Sequence, residues 1–135
     1  MMNGQAMPTI CDTHILLFWA DDKTRLSAKA HAAIEQGGLA CSDITLWEIA
    51  MLYSRGRINN YAGVTAASYI HDILLGLDVT VLPITPEIAE LAQSELFIHG
   101  DPADRLIAAT SLAYRASLIT ADEKLRAIPQ LRCIW

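Results

Sequence analysis

The chain has 135 residues, 53% of them hydrophobic, with a net charge of −5. That length suits one domain with a full core. The acidic balance argues against a broad basic nucleic-acid face, and no apolar run approaches the roughly 18 residues of a membrane span.

The opening residues "MMNGQAMPTI" lack a basic stretch followed by an apolar one, so they are not read as a signal peptide. Residues 1–8 read as a loose extension and residues 9–135 as one domain. The first strand is "TICD", Thr9–Asp12, followed by a helix in "HILLFWAD". A second helix, "SAKAHAAIEQG", closes at Gly37 and Gly38. "LACS", Leu39–Ser42, is a short strand. "DITLWEIAMLYSRG" is the next helix, with Ser42 or Asp43 as cap and Gly56 as stop. After the link "RINNYAG" come a helix in "VTAASYIHDILLG" and a strand in "VTVLPI". "TPEIAELAQSEL" starts with Thr85 as N-cap and Pro86 in the first helical position. "DPADRLIAATSLAYRA" repeats that device with Asp101 and Pro102. "SLITAD" is a strand, "EKLRAI" a short helix, and "LRCIW" the last strand.

Strands alternating with helices predict an α/β fold. Right-handed crossovers are compatible with a parallel sheet in the order 3-2-1-4-5, flanked by helices. In that order strands one and four are neighbours at the topological switch point, where open α/β sheets place ligands. Asp12 and Asp122 follow those two strands.

Five acids thereby become candidates: Asp12, Glu48, Asp101, Asp104 and Asp122. Removing them from the 15 acids leaves 10, balanced by 10 Lys and Arg, so the rest of the chain is neutral. Clustered carboxylates raise one another's pKa unless a cation joins them. Mg²⁺ and Mn²⁺ are the hard ions that favour such oxygen donors. Each acid also has a plainer reading. Asp12, Asp101 and Asp122 could cap helices, and Glu48 could be a surface residue of its helix. Asp104 could reach back to the cap or point at the ion. Thr13 and Thr120 could orient a carboxylate or serve as caps. Arg105 could pair locally or touch a phosphate, and Arg55 and Arg57 could answer the helix dipole or contact RNA.

Other features are read as structural. Cys11, Cys41 and Cys133 lack metal-site spacing and are expected as buried free thiols in a reducing cytoplasm. His14, His31, His71 and His99 show no metal-binding spacing. Phe18, Trp19, Trp47 and Trp135 are expected in the core or an interface. The sequence contains no phosphate-binding glycine loop and no nucleophile elbow.

The ordered set "DTHILLFW", "SDITLWEIAML", "GDPADRLIAATSLAY" and "LITADEKL" resembles the PIN-domain ribonucleases, in particular the VapC-type toxins of toxin–antitoxin pairs. The resemblance runs from Thr9 to Trp135. It implies a Mg²⁺- or Mn²⁺-dependent endoribonuclease that hydrolyses RNA, with transfer RNA among the expected targets, and that is silenced by a cognate antitoxin protein. It maps the catalytic acids onto Asp12, Glu48, Asp104 and Asp122. It gives Asp12, Asp104 and Asp122 as metal ligands, with Glu48 and Asp101 as further candidates. A homodimer in the cytoplasm, with no membrane association, is expected. Two other classes remain open: a non-catalytic α/β module that binds a partner protein and whose acids are helix caps, and a receiver-type phosphoacceptor. Lys124 sits poorly for the latter, because it lies past Asp122 on the helix.

Overall fold

The computed structural model describes residues 7–97 and 100–135. The proposed extension therefore lies almost wholly outside the described residues, as does His99.

Five short strands form one parallel sheet: β1 (Thr9–Cys11), β2 (Leu39–Ser42), β3 (Thr80–Leu82), β4 (Ser117–Ile119) and β5 (Cys133–Ile134). Their order is β3-β2-β1-β4-β5, as the crossover argument expects. Thr9, Ile10 and Cys11 pair in step with Ser117, Leu118 and Ile119. The seven α-helices among the described residues are α1 (Thr13–Asp21), α2 (Ala28–Gln36), α3 (Asp43–Ser54), α4 (Ala66–Leu77), α5 (Pro86–Ala92), α6 (Pro102–Ala113) and α7 (Glu123–Arg126).

Alternate strand residues enter two different cores. Cys11, Cys41 and Ile119 pack with Ile15, Leu16, Ile49 and Ile73 from α1, α3 and α4. Ile10, Ala40 and Leu118 pack with Ile88, Ile107 and Leu125 from α5, α6 and α7. Helices thus cover both faces, which explains why the strands carry nearly continuous apolar runs. The three cysteines are free, with Cys11 and Cys41 buried. Burial pushes the Cys41 thiol up to about 12 and raises that of Cys11 further, so both are chemically quiet. Trp19 and Trp135 pack against the first core. Trp47 lies outside the core, at 60% exposed, which leaves the interface half of that expectation.

Several boundaries differ from the sequence reading. The first strand stops at Cys11, which leaves Asp12 as the N-cap residue of α1. Strand β4 stops at Ile119, three residues before Asp122. Strands β3 and β5 are likewise shorter than "VTVLPI" and "LRCIW" suggest. Helix α5 ends at Ala92 rather than at Leu96. Here Arg105 reaches back from α6: its guanidinium group donates to the carbonyls of Ala92 (2.7 Å), Phe97 (2.5 Å) and Ser94 (3.4 Å). Those contacts hold the chain in a turn where propensity favours more helix. Helix α6 ends at Ala113, and Arg115 follows with φ +52°, a left-handed conformation no helix continues through. A one-turn 3₁₀ helix, Lys23–Arg25, was not anticipated; Asp22 caps it by accepting from Thr24 N at 3.1 Å.

Candidate functional site

Asp12 occupies an N-cap position, yet its side chain makes no capping hydrogen bond. It turns toward β4 instead, where Oδ2 accepts from the Thr120 hydroxyl at 2.8 Å. Its other oxygen, Oδ1, is buried with no hydrogen-bond partner. A carboxylate oxygen withdrawn from water and left unmatched is costly. Burial is accordingly the main reason its pKa is raised; the Thr120 hydrogen bond and His14 oppose the shift, and Asp122 adds to it.

Glu48 arrives from α3 and is half-buried. Its Oε1 is also buried without a partner. Burial raises its pKa, a hydrogen bond from Thr13 opposes that, and Asp12 and Asp101 push it up again. Thr13 in turn shares a buried 3.0 Å hydroxyl contact with Thr45. Thr45 was missed in the sequence. Its signal was its place three residues before Glu48, on the same side of α3.

Asp104 sits in the first turn of α6 and is partly buried. Burial, followed by Asp12, Asp101, Asp122 and Glu48, lifts its pKa to about 7. One group therefore feels all four of the other candidate acids. Asp101 is exposed and caps α6, accepting from Ala103 N at 2.9 Å and Asp104 N at 3.2 Å. Asp122 caps α7, accepting from Lys124 N at 2.8 Å and Leu125 N at 3.2 Å. Its own N–H donates to Thr120 Oγ1 at 3.1 Å, so Thr120 links the two acids across the strand ends.

The remaining candidates separate. Thr13 and Thr120 are buried supports of Glu48 and Asp12. Arg105, offered by the sequence as an RNA contact, spends its guanidinium on three backbone carbonyls, because the turn after α5 needs those groups satisfied. Arg55 is the exposed residue that ends α3, and Arg57 is exposed beyond it. His14 is exposed but close enough to act electrostatically on both Asp12 and Glu48.

Two unmatched buried carboxylate oxygens and a carboxyl lifted to neutrality fit a hard divalent cation, which would supply the missing positive charge. Among the described residues no three such side chains are already drawn into ligating geometry.

Residues 9–131 match the PIN domain family. The chain is similar to Ribonuclease VapC22 of Mycobacterium tuberculosis, with 34% identity over 119 residues, covering 87% of this chain and 88% of that one. Among solved structures it resembles the crystal structure of VapBC2 from Rickettsia felis bound to a promoter DNA fragment, with a TM-score of 0.71 and 20% identity over 94% of this chain and 97% of that chain. It also resembles a toxin–antitoxin complex from Klebsiella pneumoniae, with a TM-score of 0.60 and 22% identity over 91% and 94% of the two chains. Match and fold agree: this chain belongs to the PIN-domain family.

Proposed function

We propose that the chain is a Mg²⁺- or Mn²⁺-dependent endoribonuclease, the toxin of a pair whose antitoxin restrains it. The observation that carries this reading is Asp12 Oδ1, a buried oxygen at the sheet's switch point with no partner inside the protein. A module whose acids only cap helices accounts for Asp101 and Asp122, which do cap. It does not account for Asp12, whose carboxylate caps nothing. The relative named as a ribonuclease supports the activity, and the toxin–antitoxin neighbours support the partner.

Asp12, Asp104 and Asp122 would hold the cation, with Glu48 and Asp101 as further ligands or as supports. When bound, the cation supplies Lewis-acid polarisation of the phosphate and lowers the pKa of water. The protein's part is to orient. Thr120 fixes the Asp12 carboxylate, and Thr13 fixes Glu48. Glu48, with its pKa raised by burial, is suited to take a proton from attacking water. In-line attack by water forms a new P–O bond while the bond to the 3′ oxygen breaks; Glu48 takes the water's proton and the departing 3′ oxygen takes one from solvent, leaving a 5′-phosphate and a 3′-hydroxyl. The same reading extends to transfer RNA as target, to a cytoplasmic location and to a homodimer. For the last, the exposed Trp47 and Leu75, the latter 79% accessible, offer apolar surface.

The test is cleavage of RNA by the purified chain in Mg²⁺ or Mn²⁺, alongside Asp12→Asn. The wild type should cut, EDTA should stop it, and the variant should be folded and silent. Full activity in Asp12→Asn would overturn the assignment.

A further inference from the structure

A cavity of about 480 Å³ beside His14 is lined by Phe18, Arg25, Arg57 and Asn59 and also by two acids, Asp21 and Asp22. His14 belongs to both places, because it also acts on Asp12 and Glu48. We propose that this cavity is the subsite for the nucleotide beside the cleaved phosphate in a single-stranded RNA. The proposal rests on the nuclease reading and deepens it by assigning a substrate-holding role to residues outside the carboxylate cluster.

Three observations carry it. The guanidinium of Arg25 lies over the Phe18 ring, 4.2 Å from its centroid, and Arg25 is exposed. A planar cation held over an aromatic ring can serve as a platform for a base. Next, the two lining acids are held by hydrogen bonds to their own surroundings. Asp21 accepts from the Tyr61 hydroxyl at 2.5 Å, and Asp22 accepts from Thr24. Arg25 acts electrostatically on Asp22, while among the described residues no salt bridge holds Arg25 or Arg57, and Arg57 is exposed. Finally, the segment carrying Arg57 and Asn59 is held in place. The Tyr53 hydroxyl donates to Val64 O at 2.6 Å and accepts from Tyr61 N at 3.2 Å, while Tyr61 ties the same segment to α1 through Asp21. Asn59 thus presents an amide suited to a base edge from a fixed loop. The volume falls within the range of sites that enclose one small ligand.

The test uses the full chain and a fluorescent eight-nucleotide single-stranded RNA, with Ca²⁺ replacing Mg²⁺ to limit cutting. Arg57→Ala should weaken binding roughly five- to tenfold near 0.1 M salt. It should also reduce the slope of log affinity against log salt by about 0.7, one phosphate contact on a single strand. Arg57→Lys should keep the slope. Arg25→Ala should weaken binding at least about fivefold through lost stacking. Asn59→Ala should leave affinity near normal and change the base preferred beside the cut in a randomised RNA, read in Mg²⁺. Unchanged affinity and slope in both arginine variants, with circular dichroism confirming their folds, would overturn the subsite. Weakened capture of a protein partner with RNA binding intact would overturn it equally. Should the wild type bind RNA yet cut none, the nuclease reading fails while the binding comparison still decides the subsite.

Discussion

Thr120 and Asp12, 108 residues apart in sequence, meet through one 2.8 Å hydrogen bond at the ends of adjacent strands. That bond holds one carboxylate oxygen and leaves the other unmatched. Thr120→Val keeps the shape and removes the donor. It should cost about 1–3 kcal/mol and reduce cleavage, because Asp12 loses its fixed orientation. Asp12→Asn should silence cleavage while leaving the melting temperature unchanged or higher, since it removes a buried charge. Thermal denaturation and RNA cleavage on both variants check this; a strongly destabilised Asp12→Asn would point to a structural role instead.

Asp101 and Asp104, three residues apart, should behave differently. Asn caps about as well as Asp, so Asp101→Asn should keep the helix and cost less than about 0.5 kcal/mol. Asp104→Asn should lose most of the activity with α6 intact, because Asp104 is the acid on which the other four converge. Rates at saturating Mn²⁺ on one RNA decide. The reverse order would exchange their roles, and equal loss would mean that the two act as a unit.

The pH dependence has a definite sign. The carboxyl of Asp104 is raised to about 7 in the fold, above its ordinary value of 3.8. A group raised on folding stabilises most below its unfolded pKa, and that contribution is lost as pH climbs through the folded one. Asp12 and Glu48 are raised as well and act in the same direction. The metal-free chain should therefore melt higher at pH 5 than at pH 8, and Asp104→Asn should flatten the difference. Millimolar Mn²⁺ should raise the melting temperature most at pH 8, where the carboxylates are ionised. A metal-free chain more stable at pH 8, or no response to the ion, would contradict the cluster's electrostatics.

Arg105→Lys tests the clamp on the turn after α5. A lysine ammonium lacks the planar fork that reaches the Ala92, Phe97 and Ser94 carbonyls together. The substitution should cost about 1.5–3 kcal/mol and speed hydrogen exchange in residues 92–97. An unchanged melting temperature would show that the turn holds without it.

Much of the architecture was legible because local signals and sheet chemistry agree. Thr85–Pro86 and Asp101–Pro102 announced the starts of α5 and α6, and Thr85 Oγ1 accepts from Ile88 N at 3.1 Å as a cap should. The apolar runs announced the strands, and the order 3-2-1-4-5, assumed as one compatible with right-handed crossovers, is the order found. Less legible was whatever depends on distant partners. No local signal could reveal that Asp12 ignores its cap in favour of Thr120, or that Arg105 ends a helix thirteen residues away. The cavity beside His14 was equally hidden, because α1, the 3₁₀ turn and the loop after α3 supply its walls from separate stretches. Phe18 was expected in the core or an interface; it packs in part against the first core and also lies under Arg25.

The in-step pairing of Cys11 with Ile119 has a consequence for how this protein can fail. Successive strand residues face opposite cores, so a slip of one place would exchange Ile10 and Cys11 between them and carry Asp12 away from Thr120. A single residue inserted within β1 would then leave every acid in the chain while separating Asp12 from Thr120. Inventories of acidic residues would count such a variant as intact, although alignment between neighbouring strands is what brings these acids together.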